Sequence, residues 1–434
     1  MKLVFLCGGI GKRMFPIMES KFLLKFLGKT LLEHHIEMAE KSGFDKFVIV
    51  ANPENIGSVR KVMETEDVDV EFAIQQNPLG IADALLSAEK LIENDEIVIV
   101  NPNDVVEESA YKLLIENSKG AADAYVIGQE RENYFPGGYL IVDKKDVMQG
   151  IVEKPAPGAE PSNLVNIVIH YYKNTKKLME YLKTTKSDKD DVYEKAMDRM
   201  IKDGAKFQAL RYRGVWRAIK FPWNIFDITK FLLDKSQRTI SPNARIAPSA
   251  VVEGNVIIED GARIFENACI KGPCYIGKNT VVGNNALIRS YTHIGSNCVI
   301  GFSTEIKNCY IGDNCWFHQA YAGDSIISNN CHMAAGAITA NFRLDEKTIK
   351  VNIFSKGETD SGLRYLGIIM GEDCKLGCNV TTMPGKKIGP NSIVGPGVVL
   401  KSDLEPNKSM FLKQEHVIKD IDGNAFADKL SKFK

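Results

Sequence analysis

The stretch "SPNARIAPSAVVEGNVIIEDGARIFENACI", Ser241–Ile270, repeats itself every six residues. Ile246, Val252, Ile258, Ile264 and Ile270 share one register, with turn-forming steps such as "EGN" and "EDGA" between them. The register runs from Ile240 through Ile276, Val282, Ile288, Ile294 and Ile300 to Ile306, and every position is Ile or Val. It slips by one at Ile311 and Phe317, then resumes at Leu376, Thr382, Ile388, Val394 and Leu400. A short strand plus a tight turn accounts for this period. Three hexads close a triangular coil, and the branched residue points inward onto its counterpart one coil away. The expected fold of residues 239–415 is a left-handed parallel β-helix.

The preceding residues keep a different rhythm. Apolar runs at Leu3–Cys7, Lys46–Ala51, Val70–Ile74, Ile97–Asn101, Ala124–Gly128, Gly138–Val142, Val165–Tyr172 and Phe207–Leu210 read as strands. Amphipathic segments such as "TLLEHHIEMAEKSG" separate several of them, so βαβ units and a mostly parallel sheet are expected over residues 1–222. Helical spacing of Ile225, Ile228, Phe231 and Leu232 predicts a linker helix over 223–238. Residues 416–434 read as a C-terminal tail. The insertion Arg343–Tyr365 interrupts the repeats, a common place for function in a repeat array.

Composition narrows the classes. The 434 residues are too many for one small core. Fifty-five basic residues balance 55 acidic ones, so no global charge favours nucleic acid or a membrane surface, and an anion site must be local. No apolar run approaches the ~18 residues of a membrane span. Eight of the nine cysteines fall between Cys269 and Cys378 without paired metal spacing. They read as reduced, mostly buried thiols of a cytoplasmic protein.

The first strand runs into "CGGIGKRMFPIMESK", Cys7–Lys21. A glycine-rich turn aims backbone N–H groups at anionic oxygens, and Arg13 and Lys21 add charge. The loop lacks the Gly-Lys-Ser/Thr ending of a P-loop and the last glycine of a dinucleotide fingerprint. Alone it also fits a structural turn with two surface cations. In order along the chain come "QQNPLGIADA" (75–84), "VIVNPND" ending at Asp104, and "VEKP" (152–155). From Lys2 to about Trp223 this series resembles the sugar-1-phosphate nucleotidylyltransferases, whose domain is Rossmann-like.

The resemblance implies roles residue by residue. Gly8, Gly9 and Gly11 approach the nucleotide, Arg13 and Lys21 meet its phosphates, and Gln75 and Gly80 meet a uracil or thymine base. Asp104 holds Mg²⁺. Glu153, Lys154, Gly138 and Asn166 face the sugar phosphate. UTP or dTTP is the implied nucleotide. Sugar-phosphate oxygen attacks the α-phosphorus and pyrophosphate leaves, a reaction run mainly by fixed cations. The chain departs from the pattern at Ser20, where Pro is common, and at Asn103, where Gly is common. The stretch that usually brings a second metal carboxylate reads "WRAIKFPWN", with Ala218 at the Asp position and Lys220 at the Gly position. Two readings stay open: one carboxylate suffices, or the domain binds nucleotide without transferring it.

The stretch "FHQAYAGDSIISNNCHMAAGAITANFRLDEKTIKV" and the later "LGIIMGEDCKLGCNVTTMPGKKIGPNSIVGPGVVL" resemble the acetyltransferase domain of the bifunctional enzymes that make UDP-N-acetylglucosamine, in their archaeal form. That resemblance implies His318 as general base and Tyr321, Asn341, Lys347 and Lys350 around the amino-sugar phosphate. Imidazole suits removal of a proton from an amine that attacks acetyl-CoA. A homotrimer with acetyl-CoA between neighbouring β-helices is implied too. Tyr365 stands where a Lys is usual. The combined expectation is acetylation of glucosamine-1-phosphate plus nucleotidyl transfer on a sugar-1-phosphate. Its alternative is an acetyltransferase with a degenerate nucleotide domain.

Overall fold

The computed structural model describes residues 1–354, 356–420 and 430–433. Of the tail expected over 416–434, residues 421–429 and 434 lie outside the described residues. In the N-terminal half, β1 (Lys2–Cys7) is flanked in parallel by β2 (Lys46–Ala51) and β4 (Ile97–Val100), with β3 (Asp69–Ile74) beyond β2. Side chains alternate across β1. Leu3, Phe5 and Cys7 enter one core and Val4 and Leu6 the other, so both faces of the sheet are buried. Helix α1 (Leu31–Lys41) opens with a capping box in which Thr30 accepts from Glu33 N–H and Glu33 answers Thr30 N–H.

The sheet is mixed rather than mostly parallel. Strand β9 (Leu164–Tyr172) runs antiparallel to β4, to β6 (Ala124–Glu130) and, through Val165, to β7 (Gly138–Val142). A hairpin joins β7 to β8 (Met148–Glu153), and β10 (Phe207–Arg211) lies parallel to β6. Strand β7 lies between β8 and β9 and is antiparallel to both, and the short connection of residues 143–147 makes β7 and β8 a hairpin. A second correction concerns Asp104. The strand begun at Ile97 ends at Val100, and Asp104 opens a separate strand, β5 (Asp104–Val106), paired with β11 (Trp216–Ala218).

The repeats form three parallel sheets of eight, nine and eight strands stacked as a β-helix. Ile240, Ile258, Ile276, Ile294, Ile311 and Ile327 lie in register on one sheet, so the slip at Ile311 is a shortened corner inside an unbroken column. From Ile258 to Leu400 the inward residues of the hexad register are at most 2% exposed. Each such burial is worth roughly 1.5–3 kcal/mol. At the corners, Asn279 and Asn297 adopt left-handed φ of 57° and 56°, which Asn tolerates, and Asn279 Nδ2 donates to Asn297 Oδ1 at 3.3 Å. All nine cysteines are free. Seven are buried, Cys269 is half-buried and Cys378 is exposed.

The insertion forms an antiparallel hairpin, β12 (Lys350–Ile353) with β13 (Gly357–Asp360). Val351 and Ile353 pack with Trp223, Ile225 and Ile228 at helix α4 (Asn224–Lys235). The same cluster takes Met14, Ile17, Leu24 and Phe26 from the N-terminal half and Tyr310, Ile326 and Ile369 from the solenoid. Lys25 pairs with Asp313 at 3.0 Å, and the Lys387 ammonium lies 5.2 Å from the Phe15 ring centre. The glycine loop is therefore backed by the β-helix.

Candidate active sites

Gly8, Gly9 and Gly11 line a cleft of about 380 Å³ together with Gln75, Gly80, Asn103 and Asp190. Close approach explains Gly8: a Cβ there would collide with Gln75 Oε1. Gly80, at φ 101°, caps helix α2 (Ile81–Ser87), and a side chain on it would strike Asp190. Buried Gln75 donates through Nε2 to Gly80 O at 3.0 Å and Asp83 Oδ2 at 2.9 Å. Among the described residues its Oε1 accepts no hydrogen bond.

Beside this cleft the β5–β11 ribbon sets Ala218 directly opposite Asp104. Asp104 is 6% exposed. Its Oδ2 accepts from Trp216 Nε1 at 3.0 Å, while the buried Oδ1 has no partner in the protein. The backbone beneath is fixed by buried His35. His35 Nε2–H donates to Asp104 O at 2.9 Å and Nδ1 accepts from Tyr111 OH at 2.8 Å. Burial drives that imidazole down to about 4, so it stays neutral. Lys21 stands next to the carboxylate. Burial first, then the charges of Lys220 and Arg13, bring its ammonium down to about 8 against the pull of Asp104.

Among the described residues, no three His, Cys, Asp or Glu side chains gather as a metal-binding group. Asp104 Oδ1 is nevertheless an orphaned buried acceptor. Mg²⁺ commonly takes one or two carboxylates and fills the rest of its octahedron with water and phosphate oxygens, so Asp104 fits that ion as a single protein ligand.

Across Gly80 and Asp190 the cleft adjoins a smaller cavity of about 110 Å³, lined by Glu153, Lys154, Tyr193 and Glu194. Gly138 lies opposite Glu153 in the β7–β8 hairpin, and a Cβ on it would crowd Glu153 and Asn166. Asn166 Oδ1 accepts from His170 Nε2–H at 2.8 Å, while His170 Nδ1 accepts from Tyr193 OH at 2.6 Å. The Asn166 amide nitrogen is thereby turned outward as a donor. Lys154 pairs with Glu153 at 2.8 Å. Glu194, in the first turn of α3 (Val192–Lys202), was not singled out by the sequence. Burial, then Glu153, pushes its carboxyl up to about 8.

A raised folded-state value means that the unfolded chain releases this proton first. Stability is therefore lost as pH rises from about 4.5 to about 8. Glu194→Gln is expected to melt higher than the parent at pH 8.5 and level with it at pH 4.5. Equal melting temperatures at both pH values in thermal scans contradict this assignment.

The β-helix carries the second set. His318 follows the strand Trp316–Phe317, and its side chain is exposed. Trp316 lies 6.1 Å from it and 5.9 Å from His332, ring centre to ring centre. Burial, then Lys375 and His318, lowers the His332 imidazole. Around the next corner Asn341 Nδ2 donates to Tyr321 OH at 3.4 Å and to Asp324. Asp324, missed in the sequence, is 4% exposed and also takes Lys307 at 2.9 Å and Asn308 at 2.8 Å. Tyr365 stacks on Phe342, ring centres 5.2 Å apart, and Lys307 lies 4.4 Å from its centre, so a cation reaches this spot despite the missing Lys. Lys347 and Lys350 line a separate open cleft with Lys386 and Lys401. Among the described residues no hydrogen bond joins them to His318.

Comparison with known proteins follows the same division. Residues 2–235 match the nucleotidyl transferase family, and residues 273–308 match the bacterial transferase hexapeptide (six repeats) family. "Bifunctional protein GlmU" of Methanococcus maripaludis strain C7 is 38% identical over 96% of this chain and 99% of its own length. The protein of that name from Methanocaldococcus jannaschii is 34% identical over 97% and 100%. A "Bifunctional sugar-1-phosphate nucleotidylyltransferase/acetyltransferase" of Sulfurisphaera tokodaii is 32% identical over 93% and 98%. The likeness extends over both halves, and the chain belongs to the family of bifunctional sugar-1-phosphate nucleotidylyltransferase/acetyltransferases.

Proposed function

We propose that the chain makes a UDP- or dTDP-linked amino sugar in two reactions at two separate sites. The observation carrying this reading is Asp104, whose buried Oδ1 lacks a protein partner while Lys21 stands beside it. At the N-terminal site a phosphate oxygen of the sugar-1-phosphate attacks the α-phosphorus of UTP or dTTP. The bond from that phosphorus to the bridging oxygen breaks, and pyrophosphate leaves with the electron pair. Arg13 and Lys21 hold the phosphates in line, and the loop glycines offer backbone donors. Gln75 Oε1 accepts from the base, and Gly138, Glu153, Lys154 and Asn166 orient the sugar phosphate. Asp104 would hold Mg²⁺, which would add positive charge at the phosphates.

At the β-helix the amine of glucosamine-1-phosphate attacks the thioester carbonyl of acetyl-CoA. The carbon–sulfur bond breaks, and His318 takes the proton released by the amine and passes it to the departing sulfur, so that CoA leaves as the thiol. Tyr321 and Asn341 meet the sugar, and Lys347 and Lys350 meet its phosphate. The separation of Lys347 and Lys350 from His318 within one chain supports a homotrimer in which a neighbouring copy completes the site. Trp316, Ile338, Ile393 and Val399, exposed on the two sheets not covered by the N-terminal half, give such copies an apolar surface. The domain limits 1–222, 223–238 and 239–415 and a cytoplasmic setting belong to the same reading. Among the described residues no helix is long and apolar enough to cross a membrane.

Ala218 favours a second reading, acetyl transfer alone with a nucleotide-binding N-terminal half. Incubation of the full chain with glucosamine-1-phosphate, acetyl-CoA, UTP and Mg²⁺ separates the two. Both CoA and pyrophosphate are expected, from a particle with the mass of three chains. CoA without pyrophosphate supports the second reading, and neither product overturns both.

A further inference from the structure

The two exchanges in "WRAIKFPWN" fall at the last residue of β11, Ala218, and two residues beyond it, Lys220. Ala218 faces Asp104, and Ile219 N–H donates to Asn103 O at 3.2 Å, which carries the extended pairing one residue further. Ile219 is buried in the interdomain cluster, so the residues on either side of it, Ala218 and Lys220, point the other way. The Lys220 ammonium lies over the Phe135 ring, 5.3 Å from its centre. Among the described residues Arg13, Lys21 and Lys220 form no ion pair, and their side chains make no hydrogen bond. Among the described residues these three cations gather beside the buried carboxylate of Asp104.

We infer that Lys220 is a phosphate-binding residue of the nucleotide site, adding an ammonium to Arg13 and Lys21 where Ala218 leaves Asp104 without a second carboxylate beside it. A carboxylate at 218 would share a divalent ion with Asp104 and lower the positive charge that a triphosphate meets, whereas the methyl of Ala218 and the ammonium of Lys220 raise it without metal. This rests on the nucleotide-site reading above. It goes beyond that reading by assigning the ligand of Lys220, the β- and γ-phosphates that leave as pyrophosphate.

The test is calorimetric titration of the full chain with inorganic pyrophosphate, and with UTP, in EDTA and then with Mg²⁺. The parent is expected to bind pyrophosphate in EDTA. Lys220→Gln is expected to bind it about ten- to a hundredfold more weakly. Lys220→Arg should restore most of the loss. The double variant Ala218→Asp with Lys220→Gly should bind only when Mg²⁺ is added. A Lys220→Gln affinity within twofold of the parent overturns the role of Lys220 alone. Failure of the parent to bind UTP or pyrophosphate even with Mg²⁺ overturns the nucleotide-site reading with it.

Discussion

His318→Ala is expected to lower CoA release by about 10²- to 10⁴-fold and to leave pyrophosphate release at the parent rate. The size follows from loss of a general base, and the selectivity follows from the fold. The His318 side chain is exposed at a corner, so truncating it opens no core cavity. The glycine loop meets the solenoid on a different sheet, through Tyr310 and Asp313. A structural role for His318 would move melting temperature and both activities together. The nearest rival base is His332, which flanks the same Trp316 ring. Its lowered pKa keeps it neutral over more of the pH range, as a base requires, yet its partial burial withholds it from a bulky substrate. If His332→Ala abolishes CoA release and His318→Ala does not, the assignment of the base passes to His332.

The β-helix was legible because its inward position admits one kind of side chain. Twelve consecutive hexads had to carry Ile or Val, and no other fold makes that demand at that period. The parallel strands of the N-terminal half were legible for a related reason, since Phe47–Ala51 and Ile97–Val100 are buried on both faces and read as unbroken apolar runs. What escaped the sequence depends on contacts between distant segments. The β5–β11 ribbon joins residues more than a hundred positions apart, and nothing near Asp104 announces that Trp216 will occupy one of its oxygens. His35 could have been noticed: it shares the buried stripe of α1 with Leu31, Leu32, Ile36 and Ala39, where a polar ring needs two partners. Glu194 could have been noticed likewise, as the one carboxylate among the buried Tyr193, Ala196, Met197 and Met200 of α3. Asp324 gave no such signal, because it sits at a coil corner where polar residues are ordinary.

Asp104→Asn is expected to cut pyrophosphate release by about a hundredfold or more while CoA release is unchanged. Asparagine keeps an oxygen to accept from Trp216 Nε1, so the β5–β11 ribbon survives and the loss is one of charge. Asp104 has two opposed effects on a nucleotide. It draws a divalent ion into the site, and without that ion it repels the triphosphate. Removing its charge should therefore tighten metal-free binding, because Arg13, Lys21 and Lys220 remain and the opposing carboxylate is gone. Calorimetry in EDTA should find pyrophosphate bound several-fold more tightly by Asp104→Asn than by the parent, even as turnover with Mg²⁺ collapses. A misfolded site would lose both. Weaker metal-free binding by Asp104→Asn would mean that the carboxylate organises the cations rather than opposing the phosphates, and Asp104 would then be a positioning residue for Lys21 instead of a metal ligand.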